Sequence, residues 1–250
     1  MELVTGVGSL QHSLGRLFLT IGVFDGLHRG HLYLLERLVA GAARLNARPG
    51  VITFDAHPDA VLVGAAPPLL LDPDERLERL AAAGVDIAVV QHFDDAVRRT
   101  PFDAFVGTIA DGVDLAGFLM TPDSAFGHQR RGTPEAVASL GTRLGYETVV
   151  VPALEVGGRP LSSSDIRGRI GAGDLGAAAE LLGRPYAIVG DVDAAGRFTA
   201  PVPVALPPPG RYGVRVDGLD RSASLDVAPD GSVALPGVRA GRRRIAFESI

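Results

Sequence analysis

The residues best suited to chemistry stand together in one stretch, Gly22-Val23-Phe24-Asp25-Gly26-Leu27-His28-Arg29-Gly30-His31. His28 and His31 are three apart, so at the start of a helix they share one face of its first turn. Two imidazole donors beside a phosphate suit a reaction that builds negative charge on non-bridging oxygens. Gly22, Gly26 and Gly30 let the backbone approach a ligand closely, and a helix N-terminus offers unpaired N–H groups and partial positive charge to an anion. Two other readings stay open on these residues alone. The histidines form a structural pair, one at the helix cap and one solvated, or Asp25-x-x-His28-x-x-His31 ligates a metal. The flanking glycines have no duty in a zinc site.

A second candidate is Leu161-Ser162-Ser163-Ser164-Asp165-Ile166-Arg167. Ser162 and Asp165 have the spacing of a capping box. Ser163 and Ser164 with the Arg167 guanidinium also suit a polyphosphate, and both roles can coexist. Thr53-Phe54-Asp55-Ala56-His57-Pro58 and Met120-Thr121-Pro122-Asp123-Ser124-Ala125-Phe126-Gly127 follow two apolar runs. There His57 and Asp123 are either ligand contacts or ordinary loop and turn residues. Arg130-Arg131 and Arg242-Arg243-Arg244 read most simply as solvated faces.

The elements that must position these groups alternate between buried strands and helices. Apolar runs over 17–24, 50–54, 86–93, 115–120 and 148–151 read as strands; 31–45, 73–83 and 162–182 read as helices, with further starts at 100–103 and 133–135. Asp72-Pro73 and Thr133-Pro134 place a capping side chain before a first-turn proline, and Thr100-Pro101 with Asp103 is read the same way. Such alternation predicts an α/β fold with a parallel sheet covered on both faces, whose ligands bind at the carboxyl ends of the strands. After Pro185 the texture changes. Prolines 201, 203, 207, 208 and 209 and short alternating runs at 186–192, 212–216, 223–227 and 245–247 predict a small β-rich module. The expected domains are residues 1–185 and 186–250.

Composition bounds the function. Of 250 residues, 46% are hydrophobic and 21% charged, enough apolar material for a core and too much for general disorder. The absence of cysteine excludes disulfides, thiolate zinc sites and a cysteine nucleophile. A net charge of −5 argues against a broad duplex-binding face, so no nucleic acid partner is expected. The apolar run before Phe24 is too short for a membrane span or a signal core, and no basic segment precedes it. A cytoplasmic protein without a membrane partner is the expectation.

The stretch G-V-F-D-G-L-H-R-G-H resembles the signature of the bacterial FAD synthetases, the bifunctional riboflavin kinase/FMN adenylyltransferases, in their adenylyltransferase module. That module belongs to the larger nucleotidyltransferases with an H-x-G-H motif. The resemblance continues in order through T-F-D-A-H-P at 53–58, A-G-V-D at 83–86, F-G at 126–127, S-S-S-D-I-R at 162–167 and L-L-G-R-P-Y at 181–186. It implies a Rossmann-like nucleotidyltransferase fold in which ATP lies against the H-x-G-H turn, FMN's phosphate attacks the α-phosphorus, and pyrophosphate leaves with help from Mg2+. Carried over, His28 and His31 are the catalytic pair that steadies the triphosphate. Gly22, Phe24, Asp25, Gly26 and Gly30 form the nucleotide-binding turn. Ser163, Ser164 and Arg167 bind departing phosphates, Asp123 lies near the nucleotide and His57 beside the acceptor. No protein ligand for the metal is assigned.

Three departures stand out. Ala56 replaces a proline, Ser164 replaces a threonine, and Ser124 stands where the family usually has an aromatic. In the C-terminal module, Gly196-Arg197-Phe198-Thr199-Ala200-Pro201-Val202-Pro203 occupies the place of the family's G-R-x-L-G-x-P-T-A-N, and the P-T-A-N tetrapeptide of the riboflavin kinase is gone. The expectation is an enzyme with one activity, AMP transfer from ATP to FMN, giving FAD without riboflavin kinase activity. The alternatives are transfer to another small phosphorylated acceptor and non-catalytic binding of flavin or adenine nucleotides. The degenerate kinase-like module is expected to pack on the sheet domain or to mediate homo-oligomer formation.

Overall fold

The computed structural model describes residues 1–248 as two compact units. The first comprises 1–24, 30–67 and 77–155; the second comprises 25–29, 68–76 and 156–250, of which 249–250 lie outside the described residues. The units therefore do not meet at a single cut after residue 185.

The first unit is built on six parallel strands: β1 (Glu2–Thr5), β2 (Arg16–Ile21), β3 (Arg48–Phe54), β4 (Ile87–Gln91), β5 (Asp114–Met120) and β6 (Glu147–Val150). Their order is β1-β4-β3-β2-β5-β6, every neighbouring pair parallel. The chain steps from β2 through β3 to β4 and then returns to lay β5 on the other side of β2, so the strand order reverses between β2 and β5. Such a switch point leaves a crevice at the carboxyl ends of the two strands. Helices α1 (Arg29–Arg44), α2 (Asp59–Leu62), α3 (Pro73–Ala82), α4 (Asp95–Arg99), α5 (Phe102–Gly112) and α6 (Pro134–Leu144) fill the connections. Successive side chains of a strand face opposite ways, and β2 uses this on two layers. Leu17 and Leu19 join a core with Val106 and Ile109 of α5 and Val137 and Leu140 of α6. The Phe18 ring instead lies against Gly41 of α1, so close that a methyl there would meet it at 2.6 Å. Both faces are covered, as the continuous apolar runs require.

Strands β7 (Glu155–Val156) and β8 (Arg159–Pro160) precede helices α7 (Ser163–Gly171) and α8 (Leu175–Leu182). The helix expected over 162–182 is in fact these two, broken at Gly173, whose φ of 79° ends one turn, while the Asp174 side chain caps the next by accepting from the Ala177 N–H at 3.0 Å. The C-terminal strands β9 (Ala187–Val192), β10 (Arg197–Thr199), β11 (Gly210–Val216), β12 (Ala223–Val227), β13 (Val233–Ala234) and β14 (Gly241–Phe247) close into an antiparallel barrel in the order β10-β13-β12-β11-β14-β9. Closure leaves no free edge, which lets so short a module keep its strands paired. Its interior is filled by Val214, Leu225, Leu235, Ile245 and Phe247, in one core with Ile166, Ile170, Ala178 and Leu182 of α7 and α8. Tyr186 stacks on Phe247 at 5.7 Å between ring centroids, and its hydroxyl donates to Ala205 O.

One starting signal resolved differently from its sequence reading. Thr100 does not open α5: Pro101 takes the cap position, and the Thr100 hydroxyl turns back to donate to Ala96 O, closing the short α4. Strand β1, an edge without strong alternation, had no sequence signal. Thr133 caps α6 as its spacing predicts.

Candidate active site

At the switch point a cavity of about 710 Å3 opens in the first unit. Ile21 and Gly22 at the end of β2 and Met120 and Thr121 at the end of β5 line its floor. Its walls are strongly aromatic. Phe54 and Phe93 meet edge to face at 5.3 Å, and Phe126 leans on Phe105 and Phe118 at 6.0 and 5.9 Å. A size between about 300 and 1,000 Å3, apolar walls and a few polar groups are the usual character of a small-molecule site.

The polar groups come from loops whose shape the sequence dictates. His57 Nδ1 accepts the Asp59 N–H at 3.2 Å, which orients its ring at the start of α2. Asp55, one residue beyond β3, accepts from the Ala56 and Phe93 N–H groups and pairs with His92 Nδ1 at 2.5 Å, clasping the exits of β3 and β4 together. Burial pushes the Asp55 carboxyl up, but these hydrogen bonds outweigh it and hold the group below the usual carboxylate range; Asp55 in turn raises His92. His92 falls inside the run 86–93 that reads as a strand, and nothing in its spacing marks it. On the opposite wall Ser124 closes a tight turn: its hydroxyl accepts the Thr121 N–H at 2.9 Å and lies 2.8 Å from the Thr121 hydroxyl. The residue that replaces an aromatic thus folds its own loop, and the Asp123 carbonyl accepts from Arg130. Gly127, with φ of 72°, passes so near α5 that a Cβ would lie 2.6 Å from Phe102 Cα. His128 Nδ1 donates to Arg98 O, pinning the far end of the same loop.

Of the residues singled out from sequence, Gly22, His57 and Asp123 line this cavity. His31 stands in the first turn of α1, with its ring 5.1 Å from that of buried Phe24.

Gly30 lies beside His31 in the first turn of α1. Asp25, Gly26, His28, Ser163, Ser164 and Arg167 belong to the second unit, where the turn 25–28 is held by α7 and by the segment after α8. The buried Asp25 carboxylate accepts the Leu70 N–H at 2.9 Å and an Arg167 N–H at 2.5 Å. Arg167 Nε donates to Pro68 O, and the Ser163 hydroxyl donates to Asp25 O at 2.9 Å. Ser162 caps α7 through the Asp165 N–H, as its spacing predicts. Ser163 and Arg167 are therefore engaged in shaping the turn. Gly26 and Leu27 both have positive φ, 79° and 39°. His28 is 3% exposed, and burial first, then the charge of Arg184, lower its pKa from the ordinary 6.5 to about 4. At neutral pH it is an uncharged imidazole. Among the described residues no three His, Asp or Glu side chains converge as metal ligands, so Asp25, His28 and His31 do not form the metal set their spacing allowed.

A parallel sheet whose reversal point opens on a cavity, with a glycine-rich turn leading from its first inner strand into a helix, defines a doubly wound, Rossmann-like α/β protein with an appended barrel. The chain belongs to the FAD synthetase family, whose sequence model matches residues 10–165. It is 31% identical over 245 residues to the bifunctional riboflavin kinase/FMN adenylyltransferase of Escherichia coli K12, covering 93% of this chain and 78% of that protein. It is 30% identical over 193 residues to the protein of the same name from Pseudomonas fluorescens, covering 77% of this chain and 62% of that protein. The chain thus spans less than two thirds of the Pseudomonas relative. The crystal structure of a macrolide-efflux protein from Streptococcus pneumoniae shares the fold, with a TM-score of 0.84 and 22% identity over the full length of both chains.

Proposed function

We propose that this chain transfers AMP from ATP to FMN, releasing pyrophosphate and giving FAD. One observation carries the reading: the G-V-F-D-G-L-H-R-G-H turn, inside the region that matches the family, joins the carboxyl end of β2 to the N-terminus of α1. A phosphate oxygen of FMN attacks the α-phosphorus of ATP, the bond from that phosphorus to the bridging oxygen of the β-phosphate breaks, and pyrophosphate carries away the electron pair. His28 and His31 donate N–H groups to the triphosphate as charge builds on it, with Gly22, Asp25, Gly26 and Gly30 shaping the turn. Ser164, Ser163 and Arg167 serve the departing phosphates, and the aromatic cavity with His57 and Asp123 takes the flavin. Such chemistry needs positioning and positive charge rather than a covalent intermediate. Mg2+ enters as part of the substrate, held on the phosphates of ATP. No helix among the described residues is long and apolar enough to cross a membrane, and the site of action we propose is the cytoplasm.

Ser124, which trades an aromatic wall for a hydroxyl-closed turn, favours a second reading: transfer to a different small phosphorylated acceptor. Pyrophosphate release separates the two. With ATP and magnesium, release on adding FMN but not riboflavin supports the first. Release only with another phosphorylated acceptor moves the assignment to the second, and binding without release makes the chain a nucleotide-binding protein.

A further inference from the structure

We infer that Arg184 is a positioning residue for AMP transfer, its guanidinium fork fixing which way the peptide groups of the turn 26–28 face. This rests on the reading of that turn as the triphosphate-binding element. Arg184 lies 158 residues from Gly26 in sequence, in the L-L-G-R-P-Y stretch at 181–186, to which no role has been attached. One terminal nitrogen donates to Gly26 O at 2.6 Å; the other donates to Leu27 O at 3.1 Å and to Leu182 O at 3.3 Å. The last bond anchors the fork to the end of α8, so the turn is tied to a helix and not to a mobile loop.

The geometry has a directional consequence. A trans peptide holds its C=O and N–H antiparallel, and no cis peptide occurs among the described residues. With the carbonyls of Gly26 and Leu27 claimed by Arg184, and that of Asp25 by Ser163, the N–H of each of those peptides, on Leu27, His28 and Gly26, points away from the side chain that holds its carbonyl. Successive amides held in fixed directions by their carbonyls are the kind of donors that receive an anion. The arrangement is not what the backbone prefers. Leu27 sits at φ 39°, a region that ordinary side chains avoid, and such a residue persists only where its surroundings over-determine it. Its side chain is fully buried, which leaves the fork and the core to hold it. Arg184 also supplies the positive charge felt by His28. The other charged groups nearby in the second unit are Asp25 and Arg167, paired with one another, and Arg29, the neighbour of His28 on α1.

The test uses the full-length protein and three variants, Arg184→Lys, Arg184→Gln and Arg184→Met. Each is checked for folding by near-UV circular dichroism, then assayed for pyrophosphate release from MgATP with FMN across pH 4–8. A lysine keeps the charge but has no planar fork; glutamine keeps one short donor and no charge. We expect folded variants with kcat lowered about tenfold or more for Arg184→Met and KM for ATP changed less. Arg184→Lys is expected to fall between it and the wild type. In the two uncharged variants the acid limb of the kcat profile moves up by the smaller, electrostatic part of the shift, while burial of His28 keeps it below the ordinary imidazole value. Folded Arg184→Met with kcat within twofold of wild type overturns the proposal, as does Arg184→Lys with full kcat, or the failure of all three variants to fold. A wild-type protein that is inactive with every acceptor refutes the function reading instead. Titration of the His28 imidazole by NMR then reads the arginine independently: an unchanged His28 pKa in Arg184→Gln overturns its role at the turn.

Discussion

His28 shows how burial can change what a motif residue contributes. In the folded chain it stays neutral down to about pH 4, whereas the unfolded chain takes up a proton near 6.5. Protons therefore favour the unfolded state. The stability that His28 allows is complete above pH 6.5 and lost as pH falls towards 4, by up to about 3 kcal/mol. Urea denaturation across pH 4–7 should show this loss, and His28→Asn should flatten it; an equal slope in the variant would contradict the assignment. His31→Ala should lower turnover on the order of 10- to 100-fold, the cost of one donor to developing charge, with stability changed little. Asp25 is a different case, since its carboxylate holds Leu70 and Arg167 rather than solvent. Asp25→Ala leaves that guanidinium and N–H facing a void, and thermal or chemical unfolding should register a loss of about 2–4 kcal/mol.

For the elements, sequence was a good guide wherever burial on both faces left a continuous apolar run. Strands β2 to β6 and helices α1, α3 and α6 all lie where those runs and caps placed them. What escaped were decisions made by distant chain. The Thr100 hydroxyl could close one helix or open another, and the proline beside it made both look alike. Gly171-Ala172-Gly173-Asp174 carried the break between α7 and α8 in plain view, yet apolar periodicity on both sides masked it. The histidine motif, the Ser162 cap and the cavity loops after β3 and β5 were legible because local spacing specifies them. The contacts of His92 and Arg184 were not, since each acts on a partner far away in sequence: 37 residues for Asp55 and 158 for Gly26. The 121–132 loop offers a test at this scale. Gly127→Ala combines an unfavourable φ with a Cβ 2.6 Å from Phe102 Cα, so the cavity wall must shift. At about 1–3 kcal/mol for such overpacking, binding at the cavity should weaken roughly tenfold. Flavin fluorescence titration with FMN would measure it, and unchanged affinity would mean the wall takes no part.

For the whole molecule, the barrel is packed with side chains and lacks the kinase tetrapeptide, yet it shares its core with α7 and α8. Two ion pairs also fasten its last strand to the 68–76 segment: Arg242 to Asp72 at 3.2 Å and Arg244 to Glu75 at 2.9 Å. The arginine run read as a solvated face is, for these two residues, a fastening. We expect no FMN from riboflavin and ATP, judged by chromatography of the flavin products; its appearance would restore the kinase. Removing residues 186–250 should not yield a smaller working enzyme. It would strip Ile166, Ile170 and Leu182 of the apolar surface they pack on, and the product should aggregate or melt without a cooperative transition.

The second unit gathers 25–29, 68–76 and 156–250 into one core. A ribosome delivers these pieces far apart in time, and the clamp on Gly26 waits for a residue made 158 positions later. Closing so long a loop is slow compared with local helix formation. The turn at 26–28 therefore stays unheld on the growing polypeptide until Arg184 has been made.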